Sequence, residues 1–193
     1  MDSTMATDIA NEIIQLYKQY GGSEYAGEKV TQLEHMVQAA RLAEQQGYEE
    51  EVILAAFLHD IGHICVAAQE HNAMGGWGIK DHEAIGADFL REKGFSKRLS
   101  RLVESHVEAK RYLTWKDPLY YEQLSEASKK TLEYQGGPML TEEAIAFEQH
   151  PLFHLIVQMR HWDDVAKVEF LEVGLLDKYR DMIIRHLVDQ LTS

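Results

Sequence analysis

Apolar residues recur along almost the whole chain at the 3.6-residue period of an α-helix, and this periodicity is what most restricts the fold. It predicts helices near residues 5–20, 28–46, 49–64, 81–93, 96–112, 119–132, 141–148, 150–167 and 177–191. No stretch alternates apolar and polar residues for long enough to predict a strand. No internal repeat and no Pro/Gly/Ser-rich linker divides the chain. The sequence therefore predicts an all-α fold, with a single domain over residues 1–193.

The charge composition restricts the partners that we expect. Acidic residues outnumber basic residues 32 to 19, which gives a formal net charge of -13. Such a field repels nucleic acid and anionic membranes, and nothing in the sequence indicates an obligate protein partner. The chain has one cysteine, no signal peptide in "MDSTMATDIA", and no apolar run near the roughly 18 residues of a membrane span. These features predict a cytoplasmic protein.

Two histidines lie on the apolar face of the third predicted helix. At 3.6 residues per turn, Val52, Ala55, Ala56, His59 and His63 share one stripe. An imidazole on a buried face needs a polar partner, because burial without one is costly. These two positions therefore call for hydrogen bonds or a ligand.

Other helices repeat this pattern. His82 and His106 each lie on an apolar stripe of their own helix, and Asp163 does so on a further one. A single inward histidine is more often a hydrogen-bonded core residue than a metal ligand. Several of them, with Asp60 next to His59, are explained together by a shared metal site, since a metal ion satisfies buried lone pairs and carboxylate charges.

The order of these residues, with "QLEHMVQAARLA" before "LHDIGH", resembles the HD-domain superfamily. The resemblance covers nearly the whole chain and implies a helical bundle with a two-metal site. The implied ligands are His35, His59, Asp60, His82, His106 and Asp163. His35, His59, Asp60 and Asp163 would hold one ion. Asp60, His82 and His106 would hold the other, so that Asp60 would bridge the two ions. Ligand type alone allows iron, manganese or zinc.

Further segments make the resemblance more specific. "EYAGEKVTQLEH", "MGGWGIKDHEAIGADFLREKGFS", "HVEAKRYL", "SEASKKTLEYQGGPM" and "RHWDD" look like the 2-amino-1-hydroxyethylphosphonate dioxygenase group of mixed-valence di-iron oxygenases, from about Tyr25 to Asp163. Members of that group use Fe(II)/Fe(III) and O2 to break a carbon–phosphorus bond. The resemblance thus implies two iron ions as cofactors, O2 as co-substrate and a small organophosphonate as substrate.

The same resemblance implies five substrate-binding residues, Glu28, His63, Lys110, Ser128 and Arg160. Lys110 and Arg160 lie one helical turn from predicted ligands, so both would bring positive charge to a phosphonate. In the alternative interpretation, Lys110 and Arg160 are solvated charges on helix faces and Ser128 is a helix-capping hydroxyl.

Tyr25 and Glu28 precede the first predicted ligand. The resemblance implies that Tyr25 occupies an open iron position until substrate binds, and that Glu28 lies near the amine of the substrate. Together with His63 and Lys110 they form the predicted catalytic set. The alternatives are a packing tyrosine and a carboxylate in the first turn of a helix.

The sequence leaves the substrate and the reaction class open. The nitrogen of the substrate is either a primary amine, giving glycine, or trimethylated, giving glycine betaine. A quaternary ammonium favours aromatic faces, for which Tyr25, Trp77, Tyr112 and Tyr134 are candidates. A second hypothesis is an HD phosphohydrolase, in which the same metal pair activates water against a phosphate ester. A third, weaker one is a catalytically silent metal-binding module.

Overall fold

A computed structural model describes residues 1–25, 27–65, 74 and 77–190 of the chain. Its α-helices are α1 (Ser3–Tyr20), α2 (Gln32–Gln45), α3 (Glu50–Leu58), α4 (His82–Glu92), α5 (Lys97–Lys116), α6 (Pro118–Gln123), α7 (Glu126–Tyr134), α8 (Thr141–Glu148), α9 (Phe153–Val165) and α10 (Asp177–Asp189). A short 3₁₀ helix spans Ile61–His63. The described part of the chain contains no β-strand, which confirms the predicted all-α fold.

Helix α5 lies at the centre of the bundle. It packs against α3, α4, α8 and α9, while α2 packs against α3 and α9. Helices α1 and α10 pack against each other, and α10 also covers α3. A continuous cluster of buried apolar side chains runs from α1 to α10. This cluster supports the expectation of one domain over residues 1–193, which stays a prediction.

Helix α2 begins later than its periodicity suggests because it has a strong N-terminal cap. The Thr31 hydroxyl accepts from the backbone N–H of Glu34 (3.1 Å), and the Glu34 carboxylate accepts from the N–H of Thr31 (2.7 Å). This reciprocal capping box fixes the first turn of the helix. Glu28 therefore lies in the loop before α2, and its interpretation as a first-turn helix carboxylate is wrong.

Helix α3 ends at Leu58, so the prediction of one helix over residues 49–64 is wrong. Side chains bond the carbonyls that would have continued it. The Tyr17 hydroxyl donates to the carbonyl of Phe57 (2.6 Å), and the Nδ1–H of His59 donates to the carbonyl of Ala56 (2.8 Å). Asp60 then adopts φ -105° and ψ 15°, outside the α-helical region. The motif "LHDIGH" is thus a helix end followed by a 3₁₀ turn.

Other predicted helices also differ at their ends, two of them for a clear local reason. The prediction for 119–132 is divided into α6 and α7 at Leu124–Ser125, where the Ser125 hydroxyl accepts from the N–H of Ser128 and caps α7. The prediction for 150–167 shortens to α9, which begins after Pro151. Proline fixes its own φ and has no N–H to donate, so it favours the turn that precedes α9.

The segment after α9 is held on α2. Gln38 exchanges two hydrogen bonds with the backbone of Val168, at 3.0 and 2.9 Å. The Arg41 guanidinium donates to the carbonyls of Glu172 and Val173. These bonds hold the segment between α9 and α10 against α2. In the described part of the chain, no helix combines the length and the apolar composition that a bilayer crossing requires.

Candidate di-metal and substrate site

The four histidines predicted as metal ligands share one hydrogen-bonding pattern. Each places its Nδ1 atom on a backbone carbonyl: His35 on Ala166 (2.9 Å), His59 on Ala56 (2.8 Å), His82 on Ile79 (3.1 Å) and His106 on Val103 (2.7 Å). A carbonyl oxygen can only accept a hydrogen bond, so each Nδ1 carries the proton. The Nε2 atoms of the neutral rings are then free lone pairs. Such backbone bonds are the usual means of orienting histidines at metals.

These lone pairs face one another in two pairs. The Nε2 atoms of His35 and His59 are 3.1 Å apart, and those of His82 and His106 are 3.0 Å apart. All four rings are buried. Two unprotonated nitrogens at this separation repel each other unless a cation or a proton is shared between them. The geometry therefore favours one positive ion at each pair.

Asp60 lies between the two histidine pairs. Its Oδ1 atom is 3.2 Å from Nε2 of His82 and 3.3 Å from Nε2 of His106. Its Oδ2 atom is 3.5 Å from Nε2 of His35 and 3.4 Å from Nε2 of His59. Both oxygens are buried without a hydrogen-bond partner. A carboxylate of this kind is strongly destabilising unless it binds a cation, and its position suits a bridge between two ions.

Asp163, on α9, lies beside the pair formed by His35 and His59. Its Oδ1 atom is 3.3 Å from Nε2 of His35 and 3.9 Å from that of His59. Its Oδ2 atom accepts from Nη1 of Arg160 at 2.6 Å. Asp164 points elsewhere and accepts from the hydroxyl of Tyr120 at 2.6 Å. Asp163 is buried, as its position on the apolar stripe of its helix predicts.

The protonation states in the cluster suit metal ions. Burial alone would raise the pKa of Asp60, but the surrounding histidines hold this pKa well below its ordinary value. Burial also opposes ionisation of Asp163, whose pKa is nevertheless held well below its ordinary value, chiefly by Arg160. Burial lowers the pKa of His59 to about 4. Burial also acts to lower the pKa values of His35 and His82, but hydrogen bonds to Asp163 and Asp60, respectively, raise them overall. A metal ion would take the place of the proton that these carboxylates favour, so the six residues fit a two-metal site.

His63 lies beside this cluster but has the opposite tautomer. Its ring stacks on that of His82, with centroids 4.0 Å apart. One of its nitrogens is within 4.8 Å of ligand atoms of Asp60 and His82, which makes it a possible ligand. However, its Nδ1 accepts from the backbone N–H of Ile79 (3.3 Å), so the proton of the neutral ring is on Nε2. Since the ring offers a donor there, His63 suits an anionic substrate oxygen better than a metal. The histidine that joins His82 and Asp60 as a candidate ligand is therefore His106.

A pocket opens next to the cluster. The side chains that line it include all the residues predicted for substrate or catalysis, namely Tyr25, Glu28, His63, Lys110, Ser128 and Arg160. The predicted ligands His82, His106 and Asp163 also reach its wall. The tertiary structure thus brings the two predicted sets together at one place.

Lys110 brings a buried positive charge to the wall of the pocket. Its ammonium is buried, with the side chain 3% exposed, and donates to the Thr131 hydroxyl at 2.9 Å. Burial lowers the pKa of Lys110 to about 7, and the neighbouring charge of Arg160 adds to this effect. The interpretation of Lys110 as a solvated helix-face charge is wrong. A buried ammonium facing a pocket is well suited to bind a dianion.

Arg160 is also buried rather than solvated, and its guanidinium holds three neighbours. Nε donates to the Tyr120 hydroxyl (3.0 Å), Nη1 donates to Asp163, and Nη2 donates to Asp164. A guanidinium has five N–H donors, so about two remain for a ligand. Arg160 therefore positions Asp163 as well as lining the pocket.

Four aromatic residues were candidates for contact with a quaternary ammonium group. Two of them line the pocket and two do not. The Tyr25 ring stacks on that of His35, with centroids 4.0 Å apart, and Trp77 also lines the pocket. Burial raises the pKa of Tyr25 well above its ordinary value, with Asp60 contributing. Tyr112 packs instead within the core, and Tyr134 is 43% exposed.

Glu28 and Ser128 meet two residues that the sequence did not single out. Oε1 of Glu28 accepts from the Ser125 hydroxyl (2.5 Å) and from the Lys167 ammonium (2.7 Å). Ser125, and not Ser128, is the capping residue of α7. The spacing "SEAS" before a helix is a signal for that cap. Lys167 gives a weaker signal, as a basic residue four positions after a predicted ligand.

Comparison with known proteins agrees with this geometry. A family model described as "HD domain" matches residues 33–147, which include five of the six predicted ligands. The chain belongs to the HD-domain family.

Relatives within this family make the comparison more specific. The chain is 41% identical over 180 residues to [1-hydroxy-2-(trimethylamino)ethyl]phosphonate dioxygenase (glycine-betaine-forming) of Leisingera caerulea, covering 91% of this chain and 88% of the relative. It is 42% identical over 169 residues to hydroxymethylphosphonate dioxygenase of Gimesia maris, covering 86% and 82%. It is 49% identical over 177 residues to an uncharacterised protein of Acanthamoeba polyphaga mimivirus, covering 92% and 81%. The resemblance to phosphonate dioxygenases is thereby confirmed.

Proposed function

We propose that this protein is a di-iron oxygenase that uses O2 to break the carbon–phosphorus bond of a 1-hydroxyphosphonate. The observation that carries the proposal is Asp60, whose two buried oxygens each face one histidine pair beside a pocket with the Lys110 ammonium. The names of the two relatives with known activities support it. The products would be inorganic phosphate and the carboxylate formed from the hydroxylated carbon.

The metal ligands in this proposal are the six residues of the cluster. His35, His59 and Asp163 would hold one iron, His82 and His106 the other, and Asp60 would bridge them. When bound, an Fe(II)/Fe(III) pair supplies the site for O2 and the electron transfer that the oxidation requires. The protein orients the ligands by the backbone carbonyls that fix each imidazole tautomer.

The phosphonate would bind on the cationic side of the pocket. Lys110 would place its ammonium against one phosphonate oxygen, and the N–H donors that Arg160 has left would contact another. His63 would donate from Nε2, because its Nδ1 already accepts a backbone bond. Ser128 would add a hydroxyl donor. These contacts hold the hydroxylated carbon toward the predicted irons.

Tyr25 has the position that a gate would need. It stacks on His35 and lies in a loop that precedes α2, so its phenol can leave the cluster without unwinding a helix. We propose that the phenol protects an open iron position until substrate binds. Tyr25→Phe should then bind two irons but lose Fe(II) faster in air without substrate, as followed by the electron paramagnetic resonance signal of the mixed-valence pair.

The proposed function is tested by oxygen dependence. Iron-loaded protein is incubated with hydroxymethylphosphonate, with 2-amino-1-hydroxyethylphosphonate and with the trimethylammonium substrate, each in air and under argon. We expect phosphate from at least one of them, one O2 consumed per phosphate, and no phosphate under argon. A phosphomonoester serves as the control substrate. Phosphate release under argon, or from the ester alone, would instead support a phosphohydrolase and overturn the proposal.

A further inference from the structure

The acidic residue predicted to face the amine of the substrate already has a cation. The Lys167 ammonium is 2.7 Å from Oε1 of Glu28, and the two side chains are only 18% and 13% exposed. The same ammonium lies 3.4 Å from the Ser125 hydroxyl and 3.5 Å from that of Ser128. Glu28 and Ser128 line the pocket, while Lys167, which contacts both of them, lines a separate cavity. An ion pair this enclosed is screened by solvent less than a surface pair is.

The charges of the described pocket residues leave no carboxylate for an ammonium ligand. Glu28 is paired with Lys167, and Asp163 is paired with Arg160 and faces His35. Lys110 has a neutral partner, the Thr131 hydroxyl. The pocket also holds two amide oxygens without hydrogen-bond partners, on Gln32 and Gln135, and both are neutral acceptors. The charges of these pocket residues therefore suit a substrate that has one anionic group and is otherwise uncharged.

The position of Lys167 is fixed by the fold. Its backbone N–H donates to the carbonyl of Val165 at 2.8 Å, directly after α9. The preceding residue, Ala166, accepts the Nδ1–H of His35, and the following residue, Val168, is held by Gln38. The chain on both sides of Lys167 is thus held against α2. Its ammonium is directed to Glu28 by a well-anchored segment.

We propose that Lys167 is a specificity-determining residue that neutralises Glu28 and selects 1-hydroxyphosphonates with an uncharged substituent on the hydroxylated carbon. A substrate ammonium at Glu28 would meet the like charge of Lys167 within a few ångströms, which disfavours binding. Hydroxymethylphosphonate is the smallest molecule of the favoured class. With one O2 its C–P bond breaks, carbon leaves as formate, phosphorus leaves as phosphate, and one proton is released. This inference rests on the proposed function for the substrate class.

The test separates charge from size. Binding of [1-hydroxy-2-(trimethylamino)ethyl]phosphonate is compared with that of 1-hydroxy-3,3-dimethylbutylphosphonate, in which a tert-butyl group replaces the trimethylammonium group. Dissociation constants are measured by calorimetry on iron-loaded protein without O2, so that no turnover occurs. The parent should bind the neutral compound at least about 10-fold more tightly, which corresponds to about 1.4 kcal/mol. Hydroxymethylphosphonate should also bind more tightly than the cationic compound.

Variants at the ion pair identify the cause. In Lys167→Met the unpaired Glu28 should shift the preference by at least about 10-fold toward the cationic compound, while Lys167→Arg keeps the parental preference. In the double variant with Glu28→Gln the shift should disappear. Lys178→Met, which removes an exposed lysine on α10, is the control for a lost surface charge. Circular dichroism and iron content verify that each variant is folded and loaded.

Two outcomes would overturn this inference. One is a parent that binds the cationic compound more tightly than its neutral isostere. The other is a Lys167→Met variant that weakens all compounds equally, which would make Lys167 a phosphonate contact instead. Failure of the proposed function is seen separately, as absence of O2-dependent phosphate release from any hydroxyphosphonate, whereas the binding preference is measured without turnover.

Discussion

At Asp60, each carboxylate oxygen is buried against two imidazole nitrogens and lacks a hydrogen-bond partner. A single side chain thereby requires positive charge on both of its sides. The four histidines direct Nε2 lone pairs toward Asp60, because their Nδ1–H groups donate to backbone carbonyls. His63 differs from them in one bond only, since its Nδ1 accepts a backbone N–H. At this scale, one backbone hydrogen bond distinguishes the proposed ligand role from the proposed substrate-binding role.

Asp163 and Asp164 offer a matched pair of substitutions, because each accepts one hydrogen bond from Arg160. Only Asp163 also faces His35 and His59. We expect Asp163→Asn to retain about one iron per chain and to lose activity, and Asp164→Asn to retain two irons. Iron is counted by plasma mass spectrometry after gel filtration. Equal iron loss in the two variants would show that Arg160, and not direct ligation, accounts for the effect.

Lys110 should make stability depend on pH. Burial lowers its pKa from 10.5 to about 7 in the folded protein. Between these values the unfolded chain binds the proton more strongly, so Lys110 disfavours folding increasingly as the pH falls from about 10.5 to about 7, and fully below that. Lys110→Met removes this effect. The free energy of unfolding of the variant minus that of the parent should be about 2–3 kcal/mol more positive at pH 6 than at pH 9.

The measurement is urea unfolding of metal-free parent and variant at the two pH values. Since all other ionisable groups are shared, the difference between the two proteins isolates Lys110. A difference that does not change with pH would mean that Lys110 keeps an ordinary pKa in the folded state. Opposite dependence would mean that a carboxylate holds it charged.

At the scale of elements, the site depends on how closely helix ends approach one another. Helix α3 stops at Leu58 because the Tyr17 hydroxyl and His59 bond its last carbonyls. The 3₁₀ turn that follows then packs on the start of α4, where His82 is the first helical residue. Asp81 precedes it with a left-handed backbone, φ 58°. These features direct His82 toward Asp60.

Gly62 makes this approach possible. A Cβ atom at Gly62 would lie 1.9 Å from the carbonyl oxygen of His82 and 2.9 Å from the backbone nitrogen of Gly86. Gly62→Ala should therefore displace the first turn of α4, lower stability by about 1–3 kcal/mol and release the ion that His82 and His106 are proposed to hold. The matched control is Gly22→Ala, where a Cβ atom meets nothing within 4 Å.

Thermal unfolding and iron content would check both variants. Gly22→Ala should stay within about 0.5 kcal/mol of the parent, as surface substitutions usually do. If Gly62→Ala keeps two irons and the parental stability, α4 can shift without consequence, and the contact does not position His82.

At the scale of the whole molecule, the predicted ions join α2, the end of α3, α4, α5 and α9. Binding that favours only the folded state stabilises it, by about 2.7 kcal/mol at a metal concentration 100 times the dissociation constant. For a chain of this size, that corresponds to an increase in Tm of about 5–10 °C. Chelation should therefore lower Tm by at least this amount.

The control for chelation is the Asp163→Asn variant, whose Tm should respond less because it starts with fewer ions. Calorimetric scans with and without chelator, accompanied by iron analysis, provide the measurement. Complete loss of iron with no change in Tm would show that the cluster is assembled by packing alone and that the ions contribute nothing to folding.

The sequence by itself determined the helical class, the family and the identity of the candidate residues. Periodicity was sufficient for the helices because their apolar faces repeat every 3.6 residues, and the site residues interrupt those faces with polar groups that burial would otherwise forbid. Helical phase placed Asp163 on the buried face of its helix correctly. The same phase argument also placed His63 at the site, although α3 ends before it.

Only the tertiary structure decided where helices stop and how the site residues are protonated and paired. The end of α3 depends on Tyr17, which is 40 residues from Phe57 along the chain. The partner of Glu28 is Lys167, which is 139 residues away from it. Local patterns carry no information on such contacts, because they form only when distant segments pack together. The charge balance of the pocket, and with it the proposed substrate preference, is for this physical reason a property of the fold.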